Sequence, residues 1–182
     1  MEVSSYYLEP AGTLIDPMLP PDRGMEWFAA REVTPERVVL TNRHHLREGV
    51  ALQRRFGCPI LCHQAGLHQF DGGPSVQGFA SGDELGPGVL ALGLGVICPD
   101  ETVLHLDVGG GLLSFADGLI RYEGELAFVP DGLLGDDPEA VRQGLYEGLR
   151  RLLDHSFDGL LFAHGEPILE DGREALREFV AA

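Results

Sequence analysis

The sequence predicts a layered α/β protein in which two stacked β-sheets carry helices on their outer sides, and three observations carry that expectation. Val38, Val39 and Leu40, and again Leu160 to Ala163, form apolar runs without polar alternation, the pattern of strands buried on both faces. The 25 Gly are spread among such runs, as tight turns between strands require. Val141, Leu145, Leu149 and Leu152 recur at helical spacing, so at least one helix lays an apolar stripe on a sheet.

Taken in order, Ser5 to Ile15 reads as two short strands joined around Pro10 to Gly12, the second ending at Asp16-Pro17. A helix is expected near Met25 to Arg31, then a buried strand over Arg37–Leu40. Leu46 to Phe56 turns helical, and Gly57 supplies its stop. Pro59–Cys62 is another short buried strand. Strands follow at Val76–Phe79, Val89–Leu94, Thr102–Leu106, Leu112–Phe115 and Leu119–Tyr122, separated by Gly-Pro-Gly, Pro-Asp and Ala-Asp-Gly turns. Asp136 or Asp137 caps a long helix that starts at Pro138. Gly159–Ala163 adds a buried strand and Arg173 to Val180 a closing helix. No linker, repeat or charge block interrupts residues 1–182, so one domain is expected.

Composition narrows function. Thirteen Arg, no Lys and 29 acidic residues leave a formal charge of −16, which argues against nucleic-acid and anionic-membrane partners, since both need clustered positive charge. Without Lys there is no side-chain Schiff base and no Lys-bearing phosphate loop. Met1 to Pro10 has neither the basic residue nor the apolar run of a signal peptide, and Gly88 to Cys98 is too short to span a bilayer. Cys58, Cys62 and Cys98 form no CxxC pair. A cytoplasmic protein with reduced thiols is the expectation. Trp27, Phe28 and the nearby Met residues are open to two readings, a self-association patch or ordinary core, so a homo-oligomer is not indicated.

Of seven His, His44 and His45 directly follow the buried strand Arg37–Leu40, and His164 follows Gly159–Ala163. Strand carboxyl ends are where catalytic groups commonly project from α/β scaffolds. Asp117 occupies the turn Phe115-Ala-Asp-Gly. Asp107-Val-Gly-Gly-Gly lies between two strands rather than before a helix and reads as a hairpin turn. His63 is expected to be a hydrogen-bonded residue at the core edge, His68 and His155 to be surface residues, and the three Cys to be structural.

Gly12-Thr-Leu-Ile-Asp16-Pro17, Val38-Val-Leu-Thr41-Asn-Arg-His44-His-Leu-Arg47, Phe115-Ala-Asp117-Gly-Leu-Ile120 and Phe162-Ala-His164-Gly165 resemble, in order, four landmarks of the metallo-β-lactamase superfamily, from Tyr6 to about Val180. The resemblance implies an αββα sandwich with a metal-dependent hydrolytic site at one edge of two mixed sheets, usually with two zinc or iron ions. Where that family carries Thr-His-x-His-x-Asp-His, this chain reads Thr41-Asn42-Arg43-His44-His45-Leu46-Arg47, and where it carries Gly-His-x-Pro-Gly, Val96 stands at the His position. The implied ligands that remain are His44, Asp117 and His164, with Asn42, Arg43, His45 and Arg47 lining the cleft.

Leu46 offers no lone pair, and Arg47 brings a permanent cation, so Arg47 is expected to pair with Asp117 where a metal would stand. The expectation is therefore a divergent protein with a mostly lost dinuclear site, non-catalytic or very weakly active, that binds a small acidic ligand or a partner through Arg43, Arg47 and the two His. The alternative is a mononuclear hydrolase of an ester, thioester or related bond on His44, Asp117 and His164. Cofactor content is accordingly none or one divalent ion, zinc or iron.

Overall fold

A computed structural model describes residues 2–181. In chain order the strands are β1 (Tyr6–Leu8), β2 (Thr13–Ile15), β3 (Arg37–Val39), β4 (Ile60–His63), β5 (Val76–Phe79), β6 (Glu84–Gly86), β7 (Val89–Gly93), β8 (Thr102–Leu106), β9 (Leu112–Phe115), β10 (Ile120–Tyr122), β11 (Glu125–Ala127) and β12 (Gly159–Phe162). The helices are α1 (Gly24–Ala29), α2 (Gly49–Phe56), α3 (Pro138–Leu152) and α4 (Gly172–Ala181). One sheet runs β1-β2-β3-β4-β5 and the other β12-β9-β8-β7-β6, with β10 and β11 as a separate hairpin. Strands β2 to β5 are mutually parallel, and β12 lies parallel to β9.

Alternate residues of the same strand feed different cores, which is why the apolar runs do not alternate. Val39, Ile15 and Phe79 meet Ala91, Leu104 and Leu161 between the sheets. Val38, Leu14 and Ile60 face the other way, onto Phe28 of α1 and Leu52 of α2. On the far side Phe115, Leu160 and Phe162 pack under Leu145 and Leu149 of α3 and Leu176 of α4. The layers are thus helix, sheet, sheet, helix, as the sequence predicts. The side chain of Asp137 accepts the Ala140 amide and caps α3, with Pro138 in its first turn.

Four elements depart from the sequence reading. Gln64–Phe70 winds as a 3₁₀ segment whose start is capped by the His63 ring, which accepts the Ala65 amide. Strands β6 and β11 were not expected. Each has only three residues and owes its strand form to pairing with β7 or β10 rather than to its own pattern. Helix α2 starts at Gly49 rather than Leu46, because Arg43–His45 forms a 3₁₀ turn first and Arg47 takes φ +40°.

Candidate metal centre

The parallel strands deliver their carboxyl ends to one edge of the sandwich. Phe115 and Phe162 are register partners, so Asp117 and His164, each two residues farther on, emerge side by side. In the other sheet Ile15 pairs with Val39, which brings Asp16 beside Thr41 and the turn that follows it. Gly165 then turns the chain at φ +105°, where a Cβ would lie 2.1 Å from the Arg121 carbonyl oxygen, so no side chain fits.

His45, Asp117 and His164 form a group of metal-capable side chains whose donor atoms all lie within 4.8 Å of one another. Asp117 Oδ1 is 3.1 Å from His164 Nε2 and 3.5 Å from His45 Nε2. Its other oxygen, Oδ2, accepts a 2.7 Å bond from the Asn42 amide. Behind them, His45 Nδ1 lies 2.9 Å from Oδ2 of buried Asp16. Asp16 also accepts the Thr41 amide at 2.8 Å and the Thr41 hydroxyl at 2.5 Å. Because an ionised carboxylate only accepts, the proton of this contact belongs to His45 Nδ1, and Nε2 is the nitrogen turned to the cleft.

The electrostatics follow from this packing. Burial alone would depress the His45 imidazolium, but the charges and hydrogen bonds of Asp16 and Asp117 outweigh it and raise its pKa to about 9. Burial would raise the Asp117 carboxyl, yet the two imidazoles hold it well below the ordinary carboxylate range.

His44, the sequence candidate, is not brought to this cluster. Its amide is taken by Asn42 Oδ1 at 2.9 Å in the cap of the 3₁₀ turn, and its side chain is exposed. The neighbouring His45 stands at the site instead, since the turn directs that residue inward to Asp16. The expected Arg47–Asp117 pair does not form either: Arg47 Nη1 donates to the carbonyl oxygens of Ser4 and, at 2.8 Å, Asp16. Arg43 likewise faces inward, its amide donating at 2.7 Å and its guanidinium pairing to fully buried Asp100. Asn42 does line the site, through its bond to Asp117.

Sequence reasoning also missed the segment that joins the two halves of the site. Asp100 holds the Arg43 turn, the Thr102 amide donates to the Thr41 carbonyl at 2.8 Å, and Glu101 Oε1 accepts the Gly118 amide beside Asp117. Burial, then the charge of Asp117, pushes the Glu101 carboxyl up to about 7, and among the described residues its Oε2 has no hydrogen-bond partner. The available signal was two acidic residues abutting a strand too apolar to be exposed, which therefore need buried partners. The site opens into a cleft of about 350 Å³ walled by Val3, Val129 and Leu133.

Solved structures share this architecture. The protein TTHA1623, solved in a di-iron-bound form, aligns with a TM-score of 0.70 and 22% identity over 91% of this chain and 88% of its own. BJP-1, a subclass B3 metallo-β-lactamase of Bradyrhizobium japonicum, gives 0.65 and 14% over 93% and 79%. The metallo-β-lactamase family protein TTHA1429 from Thermus thermophilus gives 0.63 and 14% over 93% and 69%. The chain has the metallo-β-lactamase fold. No protein-family profile matches the sequence, and no curated protein does. At these identities the likeness is one of fold, and the metallo-β-lactamase sandwich alone does not say what its edge does here. Among the described residues no helix is long and apolar enough to cross a membrane.

Proposed function

We propose that this metallo-β-lactamase-fold chain holds one divalent ion, zinc or iron, on His45, Asp117 and His164, and hydrolyses an ester, thioester or related bond. The observation that carries the reading is the fixed orientation of His45: with Nδ1 tied to Asp16, its Nε2 is aimed at the oxygen of Asp117 that also faces His164. Donors of a tetrahedral ion with bonds near 2.0 Å stand about 3.3 Å apart; the two separations from Asp117 are 3.1 and 3.5 Å, and the three donor atoms together lie within 4.8 Å of one another. Two His and one carboxylate suit zinc or iron and leave coordination positions open.

The donor set fits one ion and not two. Asp117 Oδ2 is engaged by Asn42, Leu46 packs against the apolar core of the first sheet, Arg47 bonds carbonyls, and Val96 packs beside the helical core. A single ion would supply Lewis acidity toward a substrate oxygen or a water. The chain's own residues fix the imidazole through Asp16, keep Asp117 anionic, and give the cleft one apolar wall of Val3, Val129 and Leu133. An anion-binding role loses support, because Arg43 and Arg47 are both engaged inside the protein.

A second reading, a metal-free and non-catalytic ligand-binding site, is favoured by one fact: Asn42, His45 and His164 together give both oxygens of Asp117 polar partners from the chain itself. Elemental analysis of protein purified without chelator, followed by zinc titration, separates the two. The first reading expects about one equivalent, lost in His45→Ala and His164→Ala, together with zinc-dependent cleavage of simple 4-nitrophenyl esters. No metal and no uptake would leave the second.

A further inference from the structure

We infer that the groove beside the site, lined by Val3, Tyr7, Met18, Leu19, Trp27 and Phe28, receives an uncharged, straight-chain acyl or alkyl tail of the molecule whose polar linkage sits at His45, Asp117 and His164. This rests on the proposed reading of the site for the linkage, and on the groove itself for the tail.

The groove, about 340 Å³, and the site cleft share Val3 as a common wall. That wall is fixed in place, because Val3 bridges His164 through the backbone and the Ser4 amide donates to the Ala163 carbonyl at 2.9 Å. The aromatic side is rigid as well. Trp27 packs edge-on against Tyr7 and Phe28, Phe28 is buried in the core, and the Arg31 guanidinium sits over the indole 4.4 Å from the ring centroid.

Two features specify the occupant. None of the lining residues bears a formal charge, and with no Lys and a net charge of −16 the protein disfavours an anionic tail. Exposed large apolar side chains also gather here. Val3 (41% exposed) and Leu133 (65%) flank the cleft, and Met18 (36%) lines the groove. Scattered apolar residues need no explanation, but apolar residues ringing one cleft and its extension mark a ligand surface.

Trp27 is the only Trp in the sequence, so its emission reports occupancy directly and without metal. In chelator-treated protein, octanamide should change that emission saturably, acetamide should not, and 8-amino-8-oxooctanoate, which puts a carboxylate at the far end of the tail, should bind more weakly. Met18→Asp, in an exposed loop, should weaken octanamide binding at least tenfold. On zinc-loaded protein, kcat/KM for 4-nitrophenyl esters from acetate to octanoate should climb about three- to fourfold per methylene, and Met18→Asp should flatten the climb.

The inference is overturned by the absence of a saturable response to octanamide, by tighter binding of 8-amino-8-oxooctanoate, or by a response that tracks protein self-association, which would make a second copy the occupant. Octanamide binding without hydrolysis of any ester would sink the hydrolase reading and leave the groove. Hydrolysis indifferent to chain length, with no octanamide binding, would do the reverse.

Discussion

His45 and Asp16, 29 residues apart in sequence, meet at 2.9 Å through Nδ1 and a buried carboxylate, and this contact decides which of two adjacent histidines enters the site. A carboxylate behind a histidine fixes its tautomer and ring plane, and its loss typically lowers metal affinity about 10- to 100-fold. Asp16→Asn should therefore weaken zinc binding by that order in calorimetric titration. An affinity equal to the parent's would mean that His45 is oriented by something other than Asp16.

The same contact makes stability depend on pH. In chelator-treated protein the His45 pKa is raised to about 9 from an ordinary 6.5. A raised histidine stabilises the fold fully below the unfolded pKa and loses that contribution as pH climbs through the folded one, here between about 6.5 and 9. The advantage of the parent over His45→Gln should shrink by about 3 kcal/mol between pH 6 and pH 9.5 in urea denaturation. Zinc must displace this proton, so at pH 7.5 calorimetry in buffers of differing ionisation enthalpy should record about one proton released per ion. A flat stability difference would show that His45 is neutral in the folded protein.

Glu101 acts in the same direction, over a lower pH range. Its pKa is raised to about 7 from 4.5 by burial, so folding favours its protonated form. Stability contributed by that proton fades as pH rises from about 4.5 through 7, leaving a buried charge above. Glu101→Gln should be close to the parent near pH 4 and more stable at pH 8 by about 3 kcal/mol, in the absence of metal. If the variant is instead destabilised equally at both pH values, the ionised carboxylate is bracing the Asp117–Gly118 turn.

Arg43 pairs with Asp100, whose side chain is fully buried. Removing one partner of such a pair leaves an uncompensated charge and typically costs about 3–5 kcal/mol. Arg43→Ala should lower stability by that order, and Arg43→Ala with Asp100→Asn should recover much of it in a double-mutant cycle. Simple additivity of the two would show that the pair is not coupled.

The layers were legible because β3, β4 and β12 are apolar on both faces, and a run such as Val38-Val39 leaves no other place for the strand than between two cores. Helix α3 was legible from its own stripe and its Asp137 cap. Short edge pieces such as β6 and β11 were not, since three residues carry no period and only their neighbours make them strands. At the site, Asp117 and His164 could be placed because each ends a strand. The choice between His44 and His45 could not, because a 3₁₀ turn and a carboxylate from a distant strand make it. Arg47 misled for a similar reason: its charge suggested Asp117, but Ser4 and Asp16 present carbonyl oxygens that are nearer.

The final prediction concerns where a further ligand could be built. By sequence position, Leu46→Asp and Arg47→His are the obvious changes toward the family pattern. The structure points elsewhere. Leu46 packs into the apolar core of the first sheet, so a carboxylate there would be desolvated without a partner. Arg47→His would remove the bonds that tie Ser4 and Asp16 together. Asn42 is different: it is almost wholly buried, and its amide already reaches Asp117 Oδ2 at 2.7 Å. An imidazole at that position would put a fourth donor next to the existing three, at the cost of the cap on the 3₁₀ turn, about 1 kcal/mol. Asn42→His should raise zinc affinity at least tenfold, whereas Leu46→Asp with Arg47→His should lower stability without raising affinity. The reverse ranking in parallel calorimetric and urea titrations would place the metal on the other side of Asp117, away from His45.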